Sequence, residues 1–216
     1  MVHSTLTSDI ALDTDPGPGP GAGPVLWLVR HGESTWNIRG LAQGHCDQAR
    51  LTRRGVRQAA DVAGQLRDRP IRALYASDLR RALETAAPLA TAFGLPVTCD
   101  ARLRERSLGV LEGTASAAIS PAESGLSAHR VIDADARPDG GESLRDFYRR
   151  VAGFTAGLTA LLGSAEAGQA GQAGDVVVVA HGGTLRMMNA CLHGVAVEQM
   201  AWEPLENGRI LRWPTH

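Results

Sequence analysis

The chain has 216 residues, 44% hydrophobic and 21% charged, and its 22 basic and 23 acidic side chains leave a formal net charge of −1. That length suits one substantial core, and the balanced charge excludes any global attraction to nucleic acid or an anionic membrane, so an anion site would have to be a local gathering of arginine. Cys46, Cys99 and Cys191 form neither a CxxC metal pair nor a disulfide framework, and no apolar run approaches the roughly 20 residues of a membrane span.

Residues 1–24 end in "DPGPGPGAGP", where proline and glycine deny the backbone a regular ladder. They read as a disordered leader before a single domain over 25–216. The leader lacks the basic-then-apolar pattern of a signal peptide, so a cytoplasmic protein is expected. "VLWLV" (25–29) is a short apolar run fit for a buried strand, and it stops abruptly at Arg30-His31-Gly32. "TRRGVRQAADVAGQLRDR" (52–69) sets Val56, Ala59, Ala60, Ala63 and Leu66 at helical spacing. "ALYAS" (73–77) reads as a strand and 78–93 as a helix, with Asp78 near its start and Gly94 as its stop. Residues 97–100 make a weaker strand. A long amphipathic helix is expected over 142–162, with "GGES" (140–143) suiting its start, and "GSAEAGQAGQAG" (163–174) reads as a linker. "DVVVVA" (175–180) is the strongest strand and runs into "HGGTLRMMNACLHG", a turn and helix; "RILRW" (209–213) ends the series.

Strands alternating with helices predict an α/β fold, a three-layer α/β/α sandwich around a mainly parallel sheet. Ligands of such sheets bind outside the carboxyl ends of strands. Two strands here end in His-Gly, at His31 and at His181. If they are neighbours, the imidazoles converge. A third strand passes into a helix that opens with Arg80 and Arg81, a poor place for cations against the helix dipole unless an anion faces them.

Together "LVRHGESTWN", "YASDLRRALETA", "LRERSLGVLEG" and "VVVVAHGGTLR" resemble the histidine phosphatase superfamily, the phosphoglycerate-mutase-like proteins, in order and spacing across residues 25–213. The resemblance implies that His31 takes up phosphate from a monoester, with Arg30 beside it. It implies that Arg81, rather than Arg80, is the second phosphate-binding arginine, that His181 is the second pocket histidine, and that Glu105 is the general acid and then base. Asn37 and Gln43 match positions that reach phosphate or substrate, Gly182 falls in the phosphate pocket, and the start of the helix after Gly182-Gly183 would add backbone N–H groups. His181, if protonated, would add a further donor. His31 must attack as a neutral imidazole, its other nitrogen held by an acceptor.

No metal and no cofactor are called for, and the partner expected is a small phosphorylated substrate, with a homodimer implied by the family alone. The short segment 114–140, rich in Ala and Ser, favours the phosphatase branch over a mutase, which usually carries additional segments that cap the site. A cofactor-dependent phosphoglycerate mutase and a non-catalytic relative that binds a phosphorylated ligand are the alternatives. The acid phosphatase branch is disfavoured, because Gly182 and Gly183 follow the second histidine. The loop "GHCDQARLT" (44–52) departs from the family pattern, which leaves the substrate open. Glu33 and Ser34 shape a turn and open the next helix. Glu142 and Ser143 suit a helix start. His45, His129 and His193 read as surface or structural, and the arginines 50, 53, 54, 57, 67, 69 and 72 as a solvated face that could steer an anion.

Overall fold

A computed structural model describes residues 24–127, 129–166 and 174–214. In chain order its elements are β1 (Val25–Arg30), α1 (Arg53–Gln65), β2 (Ile71–Ala76), α2 (Arg80–Phe93), β3 (Val97–Cys99), α3 (Pro121–Ser124), β4 (Leu126–Ser127), β5 (Arg130–Val131), α4 (Leu144–Glu166), β6 (Asp175–Ala180), α5 (Gly182–Leu192) and β7 (Ile210–Pro214). Apart from Pro24, the expected leader lies outside the described residues. So does most of the expected linker, whose first residues instead continue α4 to Glu166.

The main sheet has the order β3-β2-β6-β1-β7, with β7 antiparallel to β1 and the other pairs parallel. β6 is buried along its whole length, as a central strand covered on both faces must be. Alternation along the strands divides the core in two. Leu26, Leu28, Val176 and Val178 pack on the side of α4 and α5 with Phe147, Val151 and Leu185. Val25, Trp27, Val29, Val177 and Val179 face α1 and α2, meeting Val62, Ala63, Ala86 and Leu89. Each burial of a Val, Leu or Phe among them stabilises by about 1.5–3 kcal/mol, and the product is the expected three-layer α/β/α arrangement.

The register carries the strand ends to one place. β6 lies between β1 and β2, and Arg30 pairs with Ala180, so the next residues, His31 and His181, leave the sheet side by side. β2 delivers Ser77 alongside, its N–H donating to the carbonyl of Val179 at 3.0 Å. At the opposite end of the strands, buried Asp175 accepts from the backbone N–H of Val25 (2.9 Å) and from Trp27 Nε1 (2.8 Å).

Several local expectations shift. Val56 is 58% exposed and Ala60 is exposed too; the buried stripe of α1 is Gly55, Ala59, Val62, Ala63 and Leu66. The helix is rotated from the expected phase because Gly55 packs directly on the Glu33 carbonyl. Thr52 caps α1, its hydroxyl accepting from the Gly55 N–H. No helix follows Glu33 and Ser34 before α1; Ser34 is buried in a turn. Asp78 does not cap α2 but forms a two-point pair with Arg104 (2.7 and 2.6 Å). Arginines 50, 53, 54, 57 and 67 are exposed, as a solvated face requires. Among the described residues no helix is long and apolar enough to cross a membrane.

Candidate active site

A cavity of about 440 Å³ opens at the carboxyl ends of β1, β6 and β2, and all eight residues singled out by sequence line it: Arg30, His31, Asn37, Gln43, Arg81, Glu105, His181 and Gly182. Arg80 is not in its wall; its backbone N–H is bound by Asp47 at 2.6 Å.

The two imidazoles stand edge to face, 5.2 Å between centroids. His31 is 3% exposed, and its Nδ1 lies 2.7 Å from the carbonyl of Gly32. A carbonyl only accepts, so Nδ1 carries the proton and Nε2 keeps a lone pair. Burial, then the charges of Arg81 and Arg30, hold this imidazole well below the usual range and therefore neutral. His181 is also neutral, held down chiefly by burial, then by Arg81. Its Nδ1 accepts from Arg81 Nε (3.2 Å), so Nε2 carries the proton and donates to Ser77 Oγ (2.8 Å). His181 therefore lacks the proton that would make it a further charged donor. A buried cation beside two guanidinium groups is unfavourable, and this imidazole braces Arg81 instead.

Arg81 is fully buried. Its Nη1 and Nη2 donate to the carbonyls of Cys46 (3.0 Å) and Gly44 (2.9 Å). Burial lowers it to about 10, so it stays cationic at neutral pH. The unusual 44–52 loop therefore supplies the carbonyls that aim this arginine. Arg30 donates through Nη1 to the Leu205 carbonyl, while its Nε is buried without a hydrogen-bond partner. An orphaned guanidinium N–H at a cavity wall is a donor waiting for an acceptor.

Glu105 hangs over the start of α5. Its Oε2 accepts from the Gly183 N–H (2.9 Å) and its Oε1 from the Arg106 N–H (2.9 Å). A Cβ at Gly183 would stand 2.1 Å from Oε1, so this approach demands glycine. Asn37 Oδ1 lies within hydrogen-bond reach of the Ser34 N–H, Ser34 Oγ and Asn207 Nδ2, leaving its Nδ2 as the group it can offer to the cavity. Gln43 Oε1 lies 3.0 Å from Ser34 Oγ.

Several supporting residues were not singled out from sequence. Asn207 Nδ2 donates to the His31 carbonyl (3.0 Å) and Thr85 Oγ1 accepts from the Gly32 N–H (3.0 Å). Ser77 holds the His181 tautomer, and Arg186 lines the cavity. His45 is half-buried and donates through Nε2 to the Glu105 carbonyl (2.9 Å). Glu142 does not serve the start of α4. Its carboxylate pairs with Arg150 (2.7 Å at both oxygens) and accepts from the Ser107 N–H, while Ser143 Oγ accepts from the Asp146 N–H instead. The local signal at positions 140–143 indicated a helix start but not these distant partners. His193 is exposed, as expected, and His129 is an exposed turn residue with φ 61°.

The family described as the histidine phosphatase superfamily (branch 1) matches residues 26–213. Among solved structures, a mycobacterial glucosyl-3-phosphoglycerate phosphatase in complex with VO3 is 32% identical, with a TM-score of 0.73 over 88% of this chain and 92% of that one. The alpha-ribazole phosphatase of Shigella flexneri is 28% identical, with a TM-score of 0.70 over 87% and 89%. A Yersinia pestis protein named "Probable phosphoglycerate mutase GpmB" is 39% identical over 127 residues, 58% of this chain. That match spans 59% of the relative's length.

Proposed function

The chain belongs to the histidine phosphatase superfamily, and from that premise we propose that it hydrolyses a small phosphate monoester through a phosphohistidine on His31. The observation that carries this reading is the Nδ1 contact of His31 with the Gly32 carbonyl, which leaves Nε2 as a neutral nucleophile in a cavity lined by Arg30 and Arg81. In the reaction His31 Nε2 forms a bond to phosphorus as the phosphorus–oxygen ester bond breaks. Glu105 gives its proton to the departing alcohol. The carboxylate then takes a proton from water, which attacks the phosphohistidine; the phosphorus–nitrogen bond breaks and phosphate leaves. Charge on the transferred oxygens is met by Arg81, by the free Nε–H of Arg30, by the amide of Asn37 and by the Gly182 N–H at the start of α5, groups already fixed before substrate arrives.

Hydrolysis is favoured over transfer by the solved neighbours, which are phosphatases covering nearly the whole chain, whereas the mutase-named relative matches just over half of it. Among its described residues the segment above the site holds only short 3-10 turns, α3 and the β4–β5 pair, so water can reach the phosphohistidine. The test is release of phosphate from p-nitrophenyl phosphate in EDTA. Turnover by the wild type and its loss in His31→Ala are expected. Folded protein without turnover overturns the phosphatase reading, and an active His31→Ala overturns the nucleophile. With 3-phosphoglycerate as substrate, free phosphate is expected; 2-phosphoglycerate formed only with added bisphosphoglycerate would indicate a mutase.

A further inference from the structure

The proposed reaction employs Arg30 and Arg81 but leaves a third arginine of the cavity without a task. Arg186 sits one turn into α5, and its side chain runs back toward the start of that helix. Its Nη1 lies 3.1 Å from the point that a Gly182 Cβ would occupy, and Arg30 Nε lies 3.5 Å from the same point. Two guanidinium groups thus converge over a residue that has no side chain to fill the gap. Arg186 Nε donates to the Glu203 carbonyl (2.7 Å), and the guanidinium lies over the Trp202 ring, 5.1 Å from its centroid. Among the described residues neither Nη has a hydrogen-bond partner. Burial lowers Arg186 to about 10, which leaves it charged at neutral pH. Glu105 is the carboxylate that acts on both guanidinium groups; when it carries the proton that the proposed reaction requires, two partly desolvated cations face each other, which is unfavourable until an anion joins them.

Position decides which anion. At the start of α5 the points that a Gly182 Cβ and a Gly183 Cβ would occupy lie 3.1 Å from Arg186 Nη1 and 2.1 Å from Glu105 Oε1, so these two side chains come together over consecutive residues. Glu105 is the proposed donor to the departing alcohol, so Arg186 stands on the leaving-group side. Trp202, Leu126, Ile119 and Leu108 make up much of the remaining wall. We infer that Arg186 binds a second oxyanion carried by the alcohol half of the substrate, so that the site prefers phosphate esters of acidic alcohols to those of neutral ones. This rests on the phosphatase reading and adds a specificity element to it. The two free ends of a guanidinium lie in one plane and match two oxygens of a carboxylate or of a second phosphate.

Two substrate pairs separate those sources. 3-Phosphoglycerate and glycerol 3-phosphate differ by a carboxylate in place of a hydroxymethyl group. Fructose 1,6-bisphosphate and fructose 6-phosphate differ by a second phosphate. The wild type is expected to favour the acidic member of at least one pair by roughly ten- to a hundredfold in kcat/KM, the scale of a charge-assisted hydrogen bond in a partly dry site. Arg186→Gln is expected to bring that ratio close to one, and Arg186→Lys to keep part of it. Calorimetric affinities of His31→Ala, with and without Arg186→Gln, for the same pairs give the ratio without turnover. A wild type that hydrolyses p-nitrophenyl phosphate yet shows no preference in either pair overturns the subsite and leaves the phosphatase standing. So does a preference that survives Arg186→Gln. If no ester is hydrolysed, the phosphatase reading falls, and the calorimetric ratio still decides whether Arg186 reads a second anion.

Discussion

The floor of the cavity rests on strand ends, whereas its roof, residues 101–143, has little regular structure. On the floor, His31 and His181 leave adjacent parallel strands whose pairing runs in step from Leu26–Val176 to Arg30–Ala180. The backbone ladder and the two-sided burial of β6 set their spacing. The roof is held by side chains that reach carbonyls. Arg106 donates to those of Glu142 (2.8 Å), Ser124 (2.5 Å) and Ala136 (2.8 Å). Arg150 donates to those of Arg102, Arg104 and Glu105 while both oxygens of Glu142 hold it. Many small contacts share the burden of the floor, but a single side chain can release the roof.

The largest break is expected where floor and roof meet. Arg81→Ala removes a buried cation from the phosphate site and strands His181 Nδ1 and the carbonyls of Gly44 and Cys46. Steady-state kinetics on an alkyl phosphate should show kcat/KM down about 10^2- to 10^3-fold. A smaller loss would mean that Arg81 merely fastens the 44–46 loop. Next comes Gly183→Ala. Alanine suits a helix better than glycine, yet its methyl would displace the Glu105 carboxylate. A loss of about 10^2-fold on alkyl esters is expected, with a smaller loss on p-nitrophenyl phosphate, whose leaving group needs little proton. Equal losses on both would contradict the acid role of Glu105.

Glu142→Gln loosens the grip of Arg150 on the chain that carries Glu105. Roughly tenfold lower kcat on alkyl esters is expected, with KM little changed, since the contact positions the acid and not the substrate. A rise in KM alone would show that the roof shapes binding instead.

The pairs and clamps of the roof also show what could be read from the chain alone. The run 25–29 and the β-branched 175–180 declare buried strands, and the repeated His-Gly ending marks where they deliver polar groups. Asp175 reads as the first residue of a strand, which it is, but nothing local announces that it will meet Val25 and Trp27 across the sheet. Ser77, Asn207 and Arg106 were equally silent. Each acts on a carbonyl, an imidazole or an amide far along the chain, and such partners leave no periodic trace. Val56 misled for a related reason: the phase of α1 is set by its contact with the turn after β1.

A further expected effect, on stability and not on rate, concerns the floor. His31 and His181 stay neutral in the fold, whereas in the unfolded chain they protonate below about pH 6.5. The unfolded state therefore binds more protons as pH falls from about 6.5, and stability falls with it. Urea unfolding at pH 7.5 and 5.5 should show a loss of about 3 kcal/mol at the lower pH. Equal stability at both would mean that the imidazoles are not held neutral.

The most direct test of the floor as a chemical device is to quench the protein during turnover of a phosphate ester and to locate the phosphoryl group. An acid-labile, base-stable phosphoryl group is expected on the peptide that contains His31, absent from His31→Ala. Turnover with no phosphoryl protein, or with the group on another residue, would contradict the nucleophilic role of His31.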